Sequence, residues 1–312
     1  MQTVIVTFIT LVAFAANSVL CRWALMDQTI DPLSFSIVRI LSGALTLLIL
    51  FTLSSQSKSK SKSKSKSKSK QELANNSTSV YIKLKSQFQF TSILSLLVYM
   101  FGFSFAYLKL GAGLGALVLF VAVQFTMIAA HLFSGNRMSL LEWAGCLLSV
   151  AGLVYLLMPT ESTQAPDLVS IILMSLAGVG WGIYTLAGKK SLNALQSTTA
   201  NFGFSSLVIL AGLSLLAVIP NAMPQVSISE QGLIYAVISG SVASGVGYSL
   251  WYYVVKKLNT VVASIAQLSV PVIATLGGVL LLSEPVTMQF IISSTVILLG
   301  ISLVLVAPKL KK

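Results

Sequence analysis

The chain has 312 residues, of which 55% are hydrophobic and only 9% charged, against about a quarter charged in an ordinary soluble domain. Eight acidic side chains in all could not help cover a water-soluble surface of this length, so the composition excludes a soluble globular protein and points to a helical membrane protein. The formal charge of +12 does not signal a nucleic-acid partner, because seven of the twenty basic residues are the lysines of one Ser-Lys segment with no aromatic or glycine-rich reading module beside it.

Apolar runs long enough to cross a hydrocarbon core at about 1.5 Å per residue recur at 4–24, 33–53, 90–108, 112–133, 140–158, 168–187, 200–219, 232–254, 260–282 and 288–306. The first lies in "MQTVIVTFITLVAFAANSVLCRWAL". It lacks the basic start of a signal peptide and runs on past the Ala13-x-Ala15 site, so it reads as a retained transmembrane helix. The second opens on Asp31-Pro32, an N-cap followed by proline at the first helical position. After it comes the Ser/Lys-rich stretch 54–89, a solvated, disordered loop by composition. Its lysines would attract anionic lipid headgroups by about 1 kcal/mol for each one near the surface.

Asn75–Thr78 contains two formal glycosylation sequons, which a cytoplasmic loop would leave unused. Ser139–Glu142 and Ser227–Glu230 read as capping boxes opening the fifth and eighth spans, so Glu142 is assigned to a cap and not to a proton relay. Cys21 and Cys146 sit in apolar runs without metal or disulfide spacing and read as buried thiols.

Lysine and arginine in short loops mark the cytoplasmic side. If 54–89 is cytoplasmic, ten alternating spans put Arg137, Lys189, Lys190, Lys256, Lys257, Lys309, Lys311 and Lys312 on that side, with both termini. Asp27, Asp31, Glu161, Asp167, Glu230 and Glu284 fall on the other, and Lys109 is the exception among the loop cations. The polar stretch "PTESTQAPD" at 159–167 divides the spans into five and five, giving a first unit at 1–158 and a second at 168–312. An odd number of spans per unit forces the second to be inverted relative to the first, the arrangement that suits alternating access around a central site.

"FAANSVLCRWAL", "DPLSFSIVRILSGALTLLIL", "GVGWGIYTLAGKK" and "LSVPVIATLGGVLLLSEPVT" resemble the EamA-type transporters of the drug/metabolite transporter superfamily, over nearly the whole chain except 54–89. The resemblance implies an all-α polytopic fold of ten transmembrane helices in two inverted five-helix repeats, with a central cavity lined mainly by the first four helices of each. Glu284 fits the family's acidic position before the last helix; Asn136 stands in its place in the first half, and the lysine-rich insertion is also atypical.

The implied function is secondary, non-ATP transport of small metabolites, foremost amino acids and related carboxylate-bearing solutes, as exporter or exchanger. The alternative is a lipid-linked-substrate flippase or multidrug efflux protein of the same fold. No enzyme activity, cofactor or metal is implied. The location implied is a bacterial inner membrane, multi-pass.

Arg39 lies about 10 Å into the second span, where a charged side chain costs at least roughly 2.5–3.5 kcal/mol. No acidic residue is placed at matching depth, so its guanidinium must meet water, backbone carbonyls, a loop carboxylate such as Asp31, or an anionic substrate. Arg22, near the end of the first span, reads as an anchor that snorkels to the interface. Asn17 in the first span, Tyr99 in the third, Trp181 and Tyr184 in the sixth, Tyr248 in the eighth and Gln267 in the ninth complete the expected cavity lining with Arg39. Tyr99, Phe103 and Tyr107 recur on one helix face, and buried tyrosines must find hydrogen-bond partners. No acid occurs in the first span of either half, so coupling is expected to work without a membrane carboxylate, by facilitated or exchange transport.

Overall fold

The structure, a computed structural model, describes residues 2–62, 84, 87–135, 137–158, 166–219, 225–258, 266–267 and 269–310. Among them are ten helices of at least 14 residues: α1 Gln2–Met26, α2 Pro32–Lys62, α3 Phe90–Ala106, α4 Ala112–Phe133, α5 Leu140–Leu157, α6 Leu168–Lys189, α7 Ala194–Val218, α8 Glu230–Val255, α9 Ser269–Leu282 and α10 Met288–Leu310. Seven are long and apolar enough to cross a bilayer, and α3, α9 and the apolar part of α10 are shorter. The chain is an all-α polytopic membrane protein. The Ser-Lys segment beyond Lys62, the Asn75–Thr78 sequons, Asn136 and 159–165 with Glu161 lie outside the described residues.

Helix starts follow local side-chain chemistry. Asp31 accepts the Ser34 N–H at 2.8 Å ahead of Pro32, as the sequence suggests. Ser139 and Glu142 form the full capping box of α5. The second box is corrected: α8 is capped by Ser229, whose hydroxyl accepts the Gly232 N–H at 3.1 Å, because Ser227 gives its own N–H to Asp31 instead. Two ends also move. Asn193 caps Gln196, so α7 starts at Ala194 and not at 200, and α2 continues past 53 to Lys62, since lysine sustains a helix well once it has begun.

The outer faces are apolar, with Leu45, Leu147 and Leu280 more than half exposed, as lipid-facing residues should be. The buried centre is equally apolar but aromatic, built around Phe14, Phe103, Trp181, Phe202, Tyr248 and Trp251. Helices touch through small residues where backbones come closest. A Cβ on Gly180 would stand 2.7 Å from the Ser95 carbonyl oxygen, and one on Gly43 would stand 2.8 Å from that of Gly240. The main packing pairs are α5 with α10, α3 and α4 with α6, α1 with α8 and α9, α4 with α9, and α2 with α7 and α8.

Loop contacts sort the chain into two ends. Asp31 meets Ser227, Lys109 meets Asp167 at 2.8 Å, and Arg22 meets Glu284, all at one end. At the other, Lys256 donates to the Leu192 carbonyl at 2.9 Å, near Lys189, Lys190 and Lys257. Burial works to raise the Asp31 carboxyl, but hydrogen bonds from Ser34, Ser227 and Leu33 outweigh it and hold the group below its ordinary range.

Candidate functional site

Arg39 projects from α2 into the molecular centre and is fully buried. Its Nε donates to Ser244 Oγ at 2.8 Å, and its Nη2 to the hydroxyls of Tyr248 at 2.7 Å and Tyr99 at 3.1 Å. The guanidinium carbon lies 4.8 Å from the Phe103 ring centroid and 5.4 Å from that of Tyr99, so two aromatic faces share its charge. Nη1 meets no acceptor among the described residues. Asp31, considered from sequence as its partner, is engaged in capping α2 and tying Ser227, so the buried charge is held by hydroxyls and rings.

Around this arginine the helices of both halves converge. From α1, Asn17 donates to Tyr248 at 3.3 Å and accepts from Ser239 at 2.8 Å and Ser244 at 3.2 Å. Tyr99 of α3 and Tyr248 of α8 bring their hydroxyls within 2.8 Å of each other. Trp181 of α6 packs against Tyr248 with ring centroids 4.6 Å apart and against Tyr99 at 5.1 Å, while its indole N–H donates to Gln267 at 3.3 Å. Tyr184 stands 5.7 Å from Trp181 and accepts from Asn201 at 3.4 Å. The structure therefore brings Asn17, Arg39, Tyr99, Trp181, Tyr184, Tyr248 and Gln267 into one buried cluster.

Several members are not evident from sequence. Ser239 and Ser244 are five residues apart, which at about 100° per residue would set them roughly 140° apart on an α-helix. They nevertheless share the Asn17 oxygen because Ser239–Val246 is wound as a π-helix, whose wider turn brings positions five apart near one face. The glycine- and serine-rich run "SGSVASGV" is the only signal of this, and it equally fits ordinary close packing. Phe14 of α1 also enters, edge-on to Trp181, Tyr248 and Trp251.

Arg22 is anchored within the protein: its Nε donates to Glu284 Oε1 at 3.2 Å and its Nη1 to the carbonyls of Tyr107 and Leu108 at 3.1 and 3.0 Å. Among the described residues no acidic side chain lies inside a helix beyond its first turn. No group of three potential metal ligands occurs among them either.

Comparison with known proteins places this geometry in context. The EamA-like transporter family model matches residues 1–158 and 168–306. An uncharacterized protein of Pseudomonas aeruginosa is 37% identical over 99% of this chain and 96% of its own length. An uncharacterized transporter of Archaeoglobus fulgidus is 27% identical over 61% of this chain and 66% of its own. A protein known from a crystal structure aligns over 97% of this chain and 99% of its own with a TM-score of 0.57 at 17% identity, a likeness of fold alone.

Proposed function

The chain belongs to the EamA-like transporter family and is a membrane transporter, and on that premise we propose that it moves small carboxylate-bearing metabolites, foremost amino acids, by alternating access through the Arg39 cluster. Transport is secondary, as exporter or exchanger, in a bacterial inner membrane with both termini cytoplasmic.

The observation that supports this substrate class is a surplus of hydrogen-bond donors. A guanidinium offers five N–H donors and accepts nothing. Tyr248 accepts from Arg39 and Asn17, so in its 2.8 Å contact it donates to Tyr99. Tyr99 then accepts from both Arg39 and Tyr248, and its own proton meets no further acceptor among the described residues. Asn17 Oδ1 is already shared by two serines. The N–H groups of Nη1 and the hydroxyl of Tyr99 together suit the two oxygens of a carboxylate. Trp181 and its neighbours supply ring faces for a cationic or apolar remainder of the solute.

Alternating access draws support from the packing itself. Exchanging α1–α5 with α6–α10 carries α3–α6 onto α8–α1 and α4–α6 onto α9–α1, and leaves α2–α7, α4–α9 and α5–α10 as they are. Such an exchange fits two five-helix units related by a two-fold; the odd number of helices in each makes inverted units at 1–158 and 168–312 our reading, and the family model also matches in two blocks. Among the described residues no carboxylate lies inside a helix beyond its first turn, which fits facilitated or exchange transport without a membrane carboxylate.

The test is ligand-induced thermal stabilisation of the detergent-purified chain. At least one of L-leucine, L-phenylalanine and L-glutamate is expected to stabilise it, and leucinamide and phenylalaninamide are not. Arg39→Gln is expected to weaken the apparent affinity about tenfold or more, since hydrogen bonds to charged groups contribute roughly 1.5–3 kcal/mol. Arg39→Lys should recover only part, lacking the planar fork. Equal stabilisation by acids and amides, or unchanged affinity in Arg39→Gln, overturns the carboxylate assignment.

A further inference from the structure

A second arginine, the partly buried Arg22, lines a cavity toward the acidic end, separate from the Arg39 cluster. A cavity of about 290 Å³ is bounded by α1, α4, α5, α9 and α10 and by the loops at Pro166 and Pro285. This is the small end of the range for ligand pockets. Arg22 and Glu284 stand in its wall with side chains only 16% and 17% exposed, and Thr275 and Gln289 add neutral polar groups.

Glu284 is held in place with some strain. It follows Ser283, a non-glycine residue at φ 54°, and its N–H reaches back to the Gly278 carbonyl at 3.1 Å. Its two oxygens take the Ala112 N–H at the start of α4, at 2.8 and 3.1 Å, and one also takes Arg22 Nε. A carboxylate of the second half is thereby seated on an arginine of the first, beside the first-half carbonyls of Tyr107 and Leu108.

The cavity and the central cluster are both bordered by α1, on different faces of that helix. Arg22 follows Asn17 by five residues on α1, about 7.5 Å along the axis. On α3 the rings of Tyr107 and Phe103 are 4.7 Å apart and those of Phe103 and Tyr99 5.3 Å, an aromatic ladder from the Arg22 contact to the Arg39 contact.

We propose that the cavity at Arg22 is an outer binding site for the carboxylate of the transported solute, in which the Glu284 carboxylate occupies the guanidinium until a solute carboxylate displaces it. The proposal rests on the carboxylate reading of the central cluster. A fixed structural tie and a displaceable carboxylate differ in sign: breaking a tie loosens the protein and weakens binding, whereas removing an internal competitor tightens it.

The experiment is equilibrium binding of radiolabelled L-leucine, L-phenylalanine and L-glutamate to purified full-length variants. Glu284→Gln, which keeps an oxygen for the Ala112 N–H, is expected to tighten binding about threefold or more by freeing Arg22. Arg39→Gln should retain a weaker binding that the added Arg22→Gln removes. Should Arg22→Gln fail to fold, Arg22→Lys keeps the charge and is expected to bind at intermediate strength. Unchanged or weakened binding in Glu284→Gln overturns the outer site. So does complete loss in Arg39→Gln alone, which leaves the central site standing. No binding of any labelled acid by any variant overturns both.

Discussion

Arg39 shows what a single residue can disclose before a structure is known. A guanidinium far from either membrane surface has to be neutralised or solvated, and that requirement alone marks it in the sequence. Its partners are less legible, because hydroxyls and aromatic rings occur along most spans and nothing in their spacing selects Ser244 over another serine. The partner of Arg22 is hidden for a related reason: its counter-charge, Glu284, is 262 residues away in sequence.

The tyrosines can be separated by experiment at this scale. Tyr99→Phe removes both an acceptor for Arg39 and a spare donor, and should weaken carboxylate binding roughly tenfold. Tyr252→Phe removes hydrogen bonding to Tyr184, including the bond to its carbonyl, and no contact to Arg39, and should leave affinity unchanged in the same binding titration. At the chain's surface, Lys109 and the Ser170 N–H and hydroxyl hold Asp167 down from 3.8 to about 2. A depressed carboxyl stabilises the fold above its unfolded pKa and loses that contribution as pH falls through the folded one. The difference in melting temperature between the wild type and Asp167→Asn should thus be flat from neutral pH down to about 4, then shrink toward about 2.

At the scale of elements, α8 decides the site's geometry. Its π-helical middle turns Ser239 and Ser244 toward Asn17 and sets Tyr248 beneath Arg39, while Gly240 lets α8 lie directly against α2. A Cβ on Gly240 would collide with the Ser42 hydroxyl and the Arg39 carbonyl. Gly240→Ala should therefore cost about 1–3 kcal/mol through overpacking, seen as a lower melting temperature with weaker ligand stabilisation. Gly203→Ala on α7 meets nothing within 4 Å, and should be neutral or stabilising by up to about 1 kcal/mol.

Helix existence was readable from apolar runs because the bilayer imposes length and hydropathy together. Helix winding was not, since a π-turn satisfies the same backbone groups and leaves the same residues apolar. Boundaries fell between these extremes. Ser139–Glu142 was legible because both halves of its box lie three residues apart, whereas choosing Ser229 over Ser227 depended on Asp31, which is remote in sequence.

For the whole molecule, charge and topology reinforce each other. The loop contacts that join Asp31 to Ser227, Lys109 to Asp167 and Arg22 to Glu284 gather five of the described acidic residues at one end and leave the other end lysine-rich. The exchange of packing pairs between halves could be anticipated only in outline, from an odd span count, because the halves share hydropathy and loop placement more than residues. Both halves contribute to the Arg39 cluster: Arg39 and Tyr99 come from the first, Ser244 and Tyr248 from the second.

Solute counterflow in proteoliposomes containing the wild-type chain tests this directly, with labelled amino acids, other carboxylates, and neutral or cationic drugs offered as separate pools. Accumulation from a carboxylate pool, driven by unlabelled solute inside and independent of an imposed pH gradient, is the expected result. Accumulation only from neutral or cationic pools, or none from any pool by folded protein, would contradict a carboxylate transporter built on Arg39.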